Sequence, residues 1–138
     1  MSYNLYLDDF RDPIDSSYYL NNSLYGNLKW DVVRNYDEFV KIITTQGIPD
    51  VVSFDHDLAD EHYDSQKPSD EYREKTGFHC AKWLIQYCID NNKDLPQTIL
   101  IHSMNPAGSL NIQSIFNTYL KLFKTEHSPI NLPPARSR

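Results

Sequence analysis

The sequence predicts a three-layer α/β domain, a parallel sheet of about four strands flanked by helices. Three observations predict it. Short apolar runs alternate with amphipathic stretches in the order β, β-α, β-α, β-α. The runs are nearly continuous in apolar residues, as strands covered on both faces are. Three of them end abruptly in polar clusters: Asp8-Asp9, Asp55-His56-Asp57 and His102-Ser103.

Asn4 to Leu7 is the first strand, with carboxylates at its exit. Phe10 to Gly26 reads as an irregular loop, because Pro13, the paired Ser and Asn residues and Gly26 are turn formers. Leu28 to Arg34 is the second strand, centred on Trp30, Val32 and Val33. Asn35 reads as a helix N-cap, with Glu38 three residues on as in a capping box. Phe39, Ile42 and Ile43 share one face of that helix, and Gly47 stops it. Val51 to Phe54 is the third strand. Residues 59–75 are charged and lack an apolar period, which predicts a mobile surface loop. Thr76-Gly77 opens a helix in which Ala81, Leu84, Ile85 and Cys88 recur at helical spacing, and Asn91-Asn92 ends it. Gln97 to Ile101 is the fourth strand. Ser109 then caps a last helix with Ile112, Ile115, Phe116, Tyr119 and Phe123 inward. The single domain covers residues 1–123, and the polar, proline-containing residues 124–138 form a C-terminal tail.

The formal net charge of −6 argues against duplex DNA or an anionic membrane as a partner, since both need a basic face. A small phosphorylated ligand held through a metal remains compatible with it. No run approaches the ~18 apolar residues of a membrane span. The N-terminus has no basic segment followed by an apolar one, so the expected location is the cytoplasm. Cys80 and Cys88 lie on one helix, separated by a rise of about 12 Å. That is too far for a disulfide, so both are expected as free thiols.

Ligands of open α/β sheets bind beyond the carboxyl ends of the strands, where strand order reverses. If the first and third strands are neighbours, the carboxylates of Asp8, Asp9, Asp55 and Asp57 meet in one crevice. Crowded carboxylates repel, so they need a cation or raised pKa values. An oxygen-rich site suits Mg²⁺ first, with Mn²⁺ or Ca²⁺ possible, rather than Zn²⁺. Asp8, Asp9 and Asp55 are the candidate metal ligands. Asp57 shares a face with Asp55 if the strand stays regular, and is a candidate base or outer-shell carboxylate; His56 would then point away. Taken alone, an Asp pair at a strand exit can also be a mere turn or cap. His102 ends a strand at the same edge, as a general acid, a phosphate ligand or a turn residue. Ser103 can bond a phosphoryl oxygen. Arg11 can clamp a phosphate or form a surface salt bridge. Thr76 and Gly77 put N–H groups of a helix start near this edge, a ready anion site. Asn105, in a turn with Pro106, completes the candidate phosphate-facing set.

Leu-Tyr-Leu-Asp-Asp-Phe-Arg-Asp-Pro (5–13), Ser-Phe-Asp-His-Asp-Leu (53–58), Thr76-Gly77 and His-Ser-Met-Asn-Pro (102–106), followed by Asn111-Ile112, resemble the cyclic-phosphate-processing receiver-like family. That family is similar to response-regulator receivers, which implies a receiver-like, flavodoxin-like fold. In receivers an acidic pair after the first strand and an Asp after the third bind Mg²⁺, and the latter accepts a phosphoryl group. By resemblance, Asp8 and Asp9 match the acidic pair, Asp55 the acceptor, and Ser103 the hydroxyl residue after the fourth strand. The sequence shows no fifth strand and so no lysine at its end, while it adds His102 and Asp57. The resemblance implies a metal-dependent phosphoesterase acting on a cyclic phosphate of a nucleotide or RNA end. A phospho-accepting signalling domain and a non-catalytic nucleotide- or protein-binding module are the alternatives.

Overall fold

The computed structural model describes residues 2–59, 62 and 75–123. Most of the expected loop 59–75 and the whole tail 124–138 lie outside the described residues. Four strands form one parallel sheet: β1 (Asn4–Leu7), β2 (Asp31–Val33), β3 (Val51–Phe54) and β4 (Thr98–Ile101). Their order is β2-β1-β3-β4. Strand order therefore reverses between β1 and β3, as in flavodoxin-like folds, and the crevice above that reversal is where such sheets bind ligands. The helices are α1 (Pro13–Tyr19), α2 (Leu24–Asn27), α3 (Tyr36–Gln46), α4 (Gly77–Asp90) and α5 (Pro106–Phe123).

Side-chain alternation along the strands splits the core in two. Leu5, Leu7, Val33, Val52, Phe54 and Ile99 pack with Phe39 and Ile43 of α3, Cys80, Ala81 and Leu84 of α4, and Ile112 and Phe116 of α5. The intervening residues Tyr6 and Leu100 join Tyr25 on the other face, with Leu20, Leu24, Trp30 and Val32 packed around them. The three long helices thus cover one face, while the short α1 and α2 cover the other.

Local chemistry explains the element ends. Asn35 caps α3 by accepting the Glu38 N–H at 2.9 Å, an interaction that typically contributes about 1 kcal/mol. Gly47 ends α3 with φ at 94°, a conformation that favours glycine. At the end of α4, Asn92 takes φ 53°. The Lys93 and Asn92 N–H groups donate to the Cys88 and Ile89 carbonyls, which is a Schellman closure.

Three expectations need correction. Residues 10–26 are not irregular, since they contain α1 and α2. Pro13 sits at the first turn of α1, where its missing N–H costs nothing, and the Asp15 carboxylate accepts the Asp12 N–H at 2.8 Å. The second strand is only Asp31–Val33, because its ladder with β1 pairs just these residues with Leu5–Leu7; Trp30 packs on the smaller core before the ladder begins. The last helix begins at Pro106, not after Ser109: Asn105 Oδ1 accepts the Gly108 N–H at 2.9 Å and acts as the cap. Among the described residues no helix is long and apolar enough to cross a membrane.

Candidate metal centre

Register brings the site together. Leu7, Phe54 and Ile101 lie on one line across β1, β3 and β4. The ladder continues one residue further, as Asp55 N–H donates to the Leu7 carbonyl at 3.0 Å and His102 N–H to the Phe54 carbonyl at 2.9 Å. Asp8, Asp55 and His102 are the next residues after that line. One donor atom from each lies within 4.8 Å of the others, and all three residues are buried. This is a group that could hold a metal ion. Asp9, half-buried, and Asp57 are not members of that close trio.

Asp8 is held at both carboxylate oxygens. Oδ1 accepts the N–H groups of Phe10 at 3.0 Å and Arg11 at 2.8 Å. Oδ2 pairs with His102 Nε2 at 3.0 Å and with the Arg11 guanidinium at 3.4 Å. Burial raises the Asp8 carboxyl, but hydrogen bonds from His102 and the Arg11 and Phe10 N–H groups outweigh it and hold it below its ordinary value. Asp55 is the opposite case. Its Oδ1 accepts the His56 N–H at 2.9 Å, while its buried Oδ2 has no hydrogen-bond partner among the described residues. Burial, then the neighbouring Asp8 charge, pushes its carboxyl up to about 7. An orphaned, buried carboxylate oxygen next to a second carboxylate fits a hard divalent cation with oxygen ligands.

His102 has no exposed surface. Its ring lies parallel to Tyr6 with centroids 4.2 Å apart. Nδ1 meets Ser53 Oγ at 2.6 Å, and Ser53 Oγ meets the Tyr25 hydroxyl at 2.7 Å. Both ring nitrogens are thus engaged inside the protein. Burial lowers the His102 pKa despite the opposing pull of Asp8.

The remaining candidates divide between the site and its supports. The strand ends at Phe54, so the alternation expected to aim Asp57 and turn His56 away from it does not operate. Instead His56 Nδ1 meets Asp57 Oδ1 at 2.8 Å, and Asn105 Nδ2 donates to both Asp57 oxygens at 3.3 Å. Asn105 therefore ties the exits of β3 and β4 together while capping α5. Ser103 is half-buried, and its Oγ accepts the Asn105 N–H at 3.1 Å. Arg11 ion-pairs with Asp8 and lies 5.0 Å from the Phe10 ring centroid. Thr76 and Gly77 do not present free N–H groups: Thr76 N–H donates to His79 Nδ1 at 3.0 Å and Gly77 N–H to the His56 carbonyl at 2.7 Å. Gly77 is needed for this close approach, because a Cβ there would fall 1.7 Å from the Asp55 carbonyl oxygen.

Ser53, Tyr25 and Tyr6 were missed from the sequence. Ser53 carried a usable signal, as a polar residue inside an apolar strand buried on both faces needs a partner. Tyr25 carried none, lying in a stretch read as loop. A model of the cyclic-phosphate processing receiver domain matches residues 3–118. No curated protein and no solved structure gives a significant match.

Proposed function

The chain belongs to the cyclic-phosphate processing receiver domain family, and from that premise we propose that it is a metal-dependent phosphoesterase that opens a cyclic phosphate on a nucleotide or an RNA end. The observation that carries the reading is the buried Asp8–Asp55 pair above the β1/β3 reversal, with Asp55 Oδ2 unsatisfied. Asp8 and Asp55, with Asp9 beside them, would hold the ion, Mg²⁺ first and Mn²⁺ or Ca²⁺ next. A bound divalent ion supplies charge neutralisation at the phosphate and a lower pKa for water.

Ring opening adds one water. Its oxygen forms the new bond to phosphorus, one ring P–O bond breaks, and a proton from the water ends on the departing oxygen, which is released as a hydroxyl. Arg11 lies beside Asp8 and supplies positive charge for phosphoryl oxygens. Ser103, at the exit of β4, offers a hydroxyl donor to the same group. Asp57 orients His56 and Asn105 and so fixes the rim of the crevice. His102 is assigned to Asp8 rather than to the leaving oxygen, because its nitrogens are occupied and its ring is covered.

The test is incubation with a panel of cyclic nucleotides and cyclic-ended RNA, with and without Mg²⁺ or Mn²⁺, followed by ³¹P NMR. Ring-opened monoester is expected only with metal, and Asp55→Asn should abolish it. Metal binding with no turnover of any member would leave a binding module. A stoichiometric acyl phosphate on Asp55 after treatment with a phosphoryl donor would favour receiver-type signalling, which the receiver-like positions of Asp55 and Ser103 keep as the second reading.

A further inference from the structure

We propose that Tyr25, Ser53 and His102 form a one-way hydrogen-bond chain ending on Asp8, in which Ser53 and Tyr25 are positioning residues that fix the Asp8 carboxylate. The chain runs from the Tyr25 hydroxyl to Ser53 Oγ at 2.7 Å, to His102 Nδ1 at 2.6 Å, and from Nε2 to Asp8 Oδ2 at 3.0 Å. Every member is buried.

Hydrogen counting sets the direction. Each hydroxyl has one proton to give, and a carboxylate only accepts. His102 Nε2 must therefore carry a hydrogen for Asp8. A second hydrogen on Nδ1 would oblige Ser53 to accept it and to donate in turn to Tyr25. The Tyr25 O–H would then lack an acceptor, because Ser53 is its one hydrogen-bond partner among the described residues. With Nδ1 bare, every atom is satisfied: Tyr25 donates to Ser53, Ser53 to His102, and His102 to Asp8. The Tyr6 ring, stacked within 7° of parallel, holds the imidazole plane, and the Tyr6 hydroxyl is engaged elsewhere, on Ser16 Oγ at 2.7 Å.

The consequence is specific. An imidazole with Nε2 protonated and Nδ1 occupied has no lone pair for a metal. His102 thus holds a ligand instead of being one, the mirror of the usual carboxylate that orients a metal-bound histidine. The direction of the chain stands on geometry alone, whereas its use rests on the metal reading above.

Long-range ¹⁵N–¹H NMR of the full chain reads the tautomer, with the His102 signals assigned by their loss in His102→Gln. In EDTA the expected state is Nε2–H with bare Nδ1, and Mg²⁺ should leave it unchanged. Ser53→Ala removes the donor to Nδ1, so it should loosen the ring's hold on Asp8 and weaken Mg²⁺ binding by about 10–100-fold while Nε2 keeps its hydrogen. Tyr25→Phe, which keeps the ring, should retain the tautomer and weaken binding less. An Nδ1–H tautomer or an imidazolium in EDTA overturns the proposal. So does conversion to bare Nε2 on adding Mg²⁺, or native Mg²⁺ affinity in folded Ser53→Ala. If Mg²⁺ does not bind the native chain, the metal reading fails, and the tautomer in EDTA alone decides the chain.

Discussion

Asp55 carries two opposing demands, because the fold buries it and the proposed metal role needs it ionised. Burial, and then Asp8, push its carboxyl from the ordinary 3.8 of an unfolded chain up to about 7 in the fold. Between those values the folded state binds a proton that the unfolded state has lost. Metal-free stability should therefore fall as pH rises from about 4 to about 7. Asp8 acts in a separate window: its lowered carboxyl contributes stability that is lost only as pH falls below its ordinary value of 3.8. Denaturant midpoints measured in EDTA across pH should show the Asp55 decline, and Asp55→Asn should flatten it. A cation should reverse the penalty, since a ligand at 100 times its Kd adds about 2.7 kcal/mol. Asp55→Asn is thus expected to melt above the native chain in EDTA at about pH 8, and below it in saturating Mg²⁺. A variant weaker under both conditions would show that Asp55 is a structural carboxylate, with no cation in its design.

At the scale of elements, two helices grip the exit of β3 through glycine. Gly77, at the start of α4, sits against the Asp55 carbonyl, and Gly108, in the first turn of α5, sits against the His56 ring, 2.3 Å from where a Cβ would lie. Gly77→Ala meets backbone and should cost about 1–3 kcal/mol or more, as overpacking does. Gly108→Ala meets a side chain that can shift, so its cost should be smaller. Gly26→Ala, with nothing within 4 Å, is the control. Urea unfolding of the three variants checks the ranking, and equal costs would mean that the grip does not exist. The long elements were legible because each repeats an apolar face and carries a cap, as with Asn35 and Glu38 or Thr76 and Gly77. The short ones were not. Asp12-Pro13 and Asn105-Pro106 were read as turns, yet each Pro opens a helix, since proline suits a first turn as well as it suits a loop. The acidic ends of β1 and β3 were legible from their abrupt exits, while the support for His102 was hidden because its partners are scattered over three separate segments.

The whole molecule is a sheet between unequal cores, and the larger one holds both thiols. Cys80 and Cys88 are free and buried on α4. Burial drives the Cys80 thiol well above its ordinary range and pushes Cys88 up to about 11. Thiolate is the reactive form, so neither should react in the folded chain. A maleimide reagent should label both only in denaturant, and Mg²⁺ should slow native-state labelling further if it binds the folded form alone. Rapid labelling of either cysteine without denaturant would contradict the packing of α4 against the sheet. Which face each helix covers was not legible. That assignment depends on α1 and α2, whose few apolar residues gave no period.

The aromatic cluster beneath His102 gives the chain a built-in optical reporter. Trp30 stacks on Tyr25 with centroids 5.7 Å apart and meets the edge of Tyr6 at 5.9 Å. The other tryptophan, Trp83, packs against the larger core and stacks on Tyr87. The two indoles therefore sample opposite faces of the sheet. In Trp83→Phe the remaining emission comes from a ring one contact away from the Tyr25 hydroxyl. Light from that indole would register a rearrangement at the crevice without any attached dye, and Trp30→Phe would supply the matching blank.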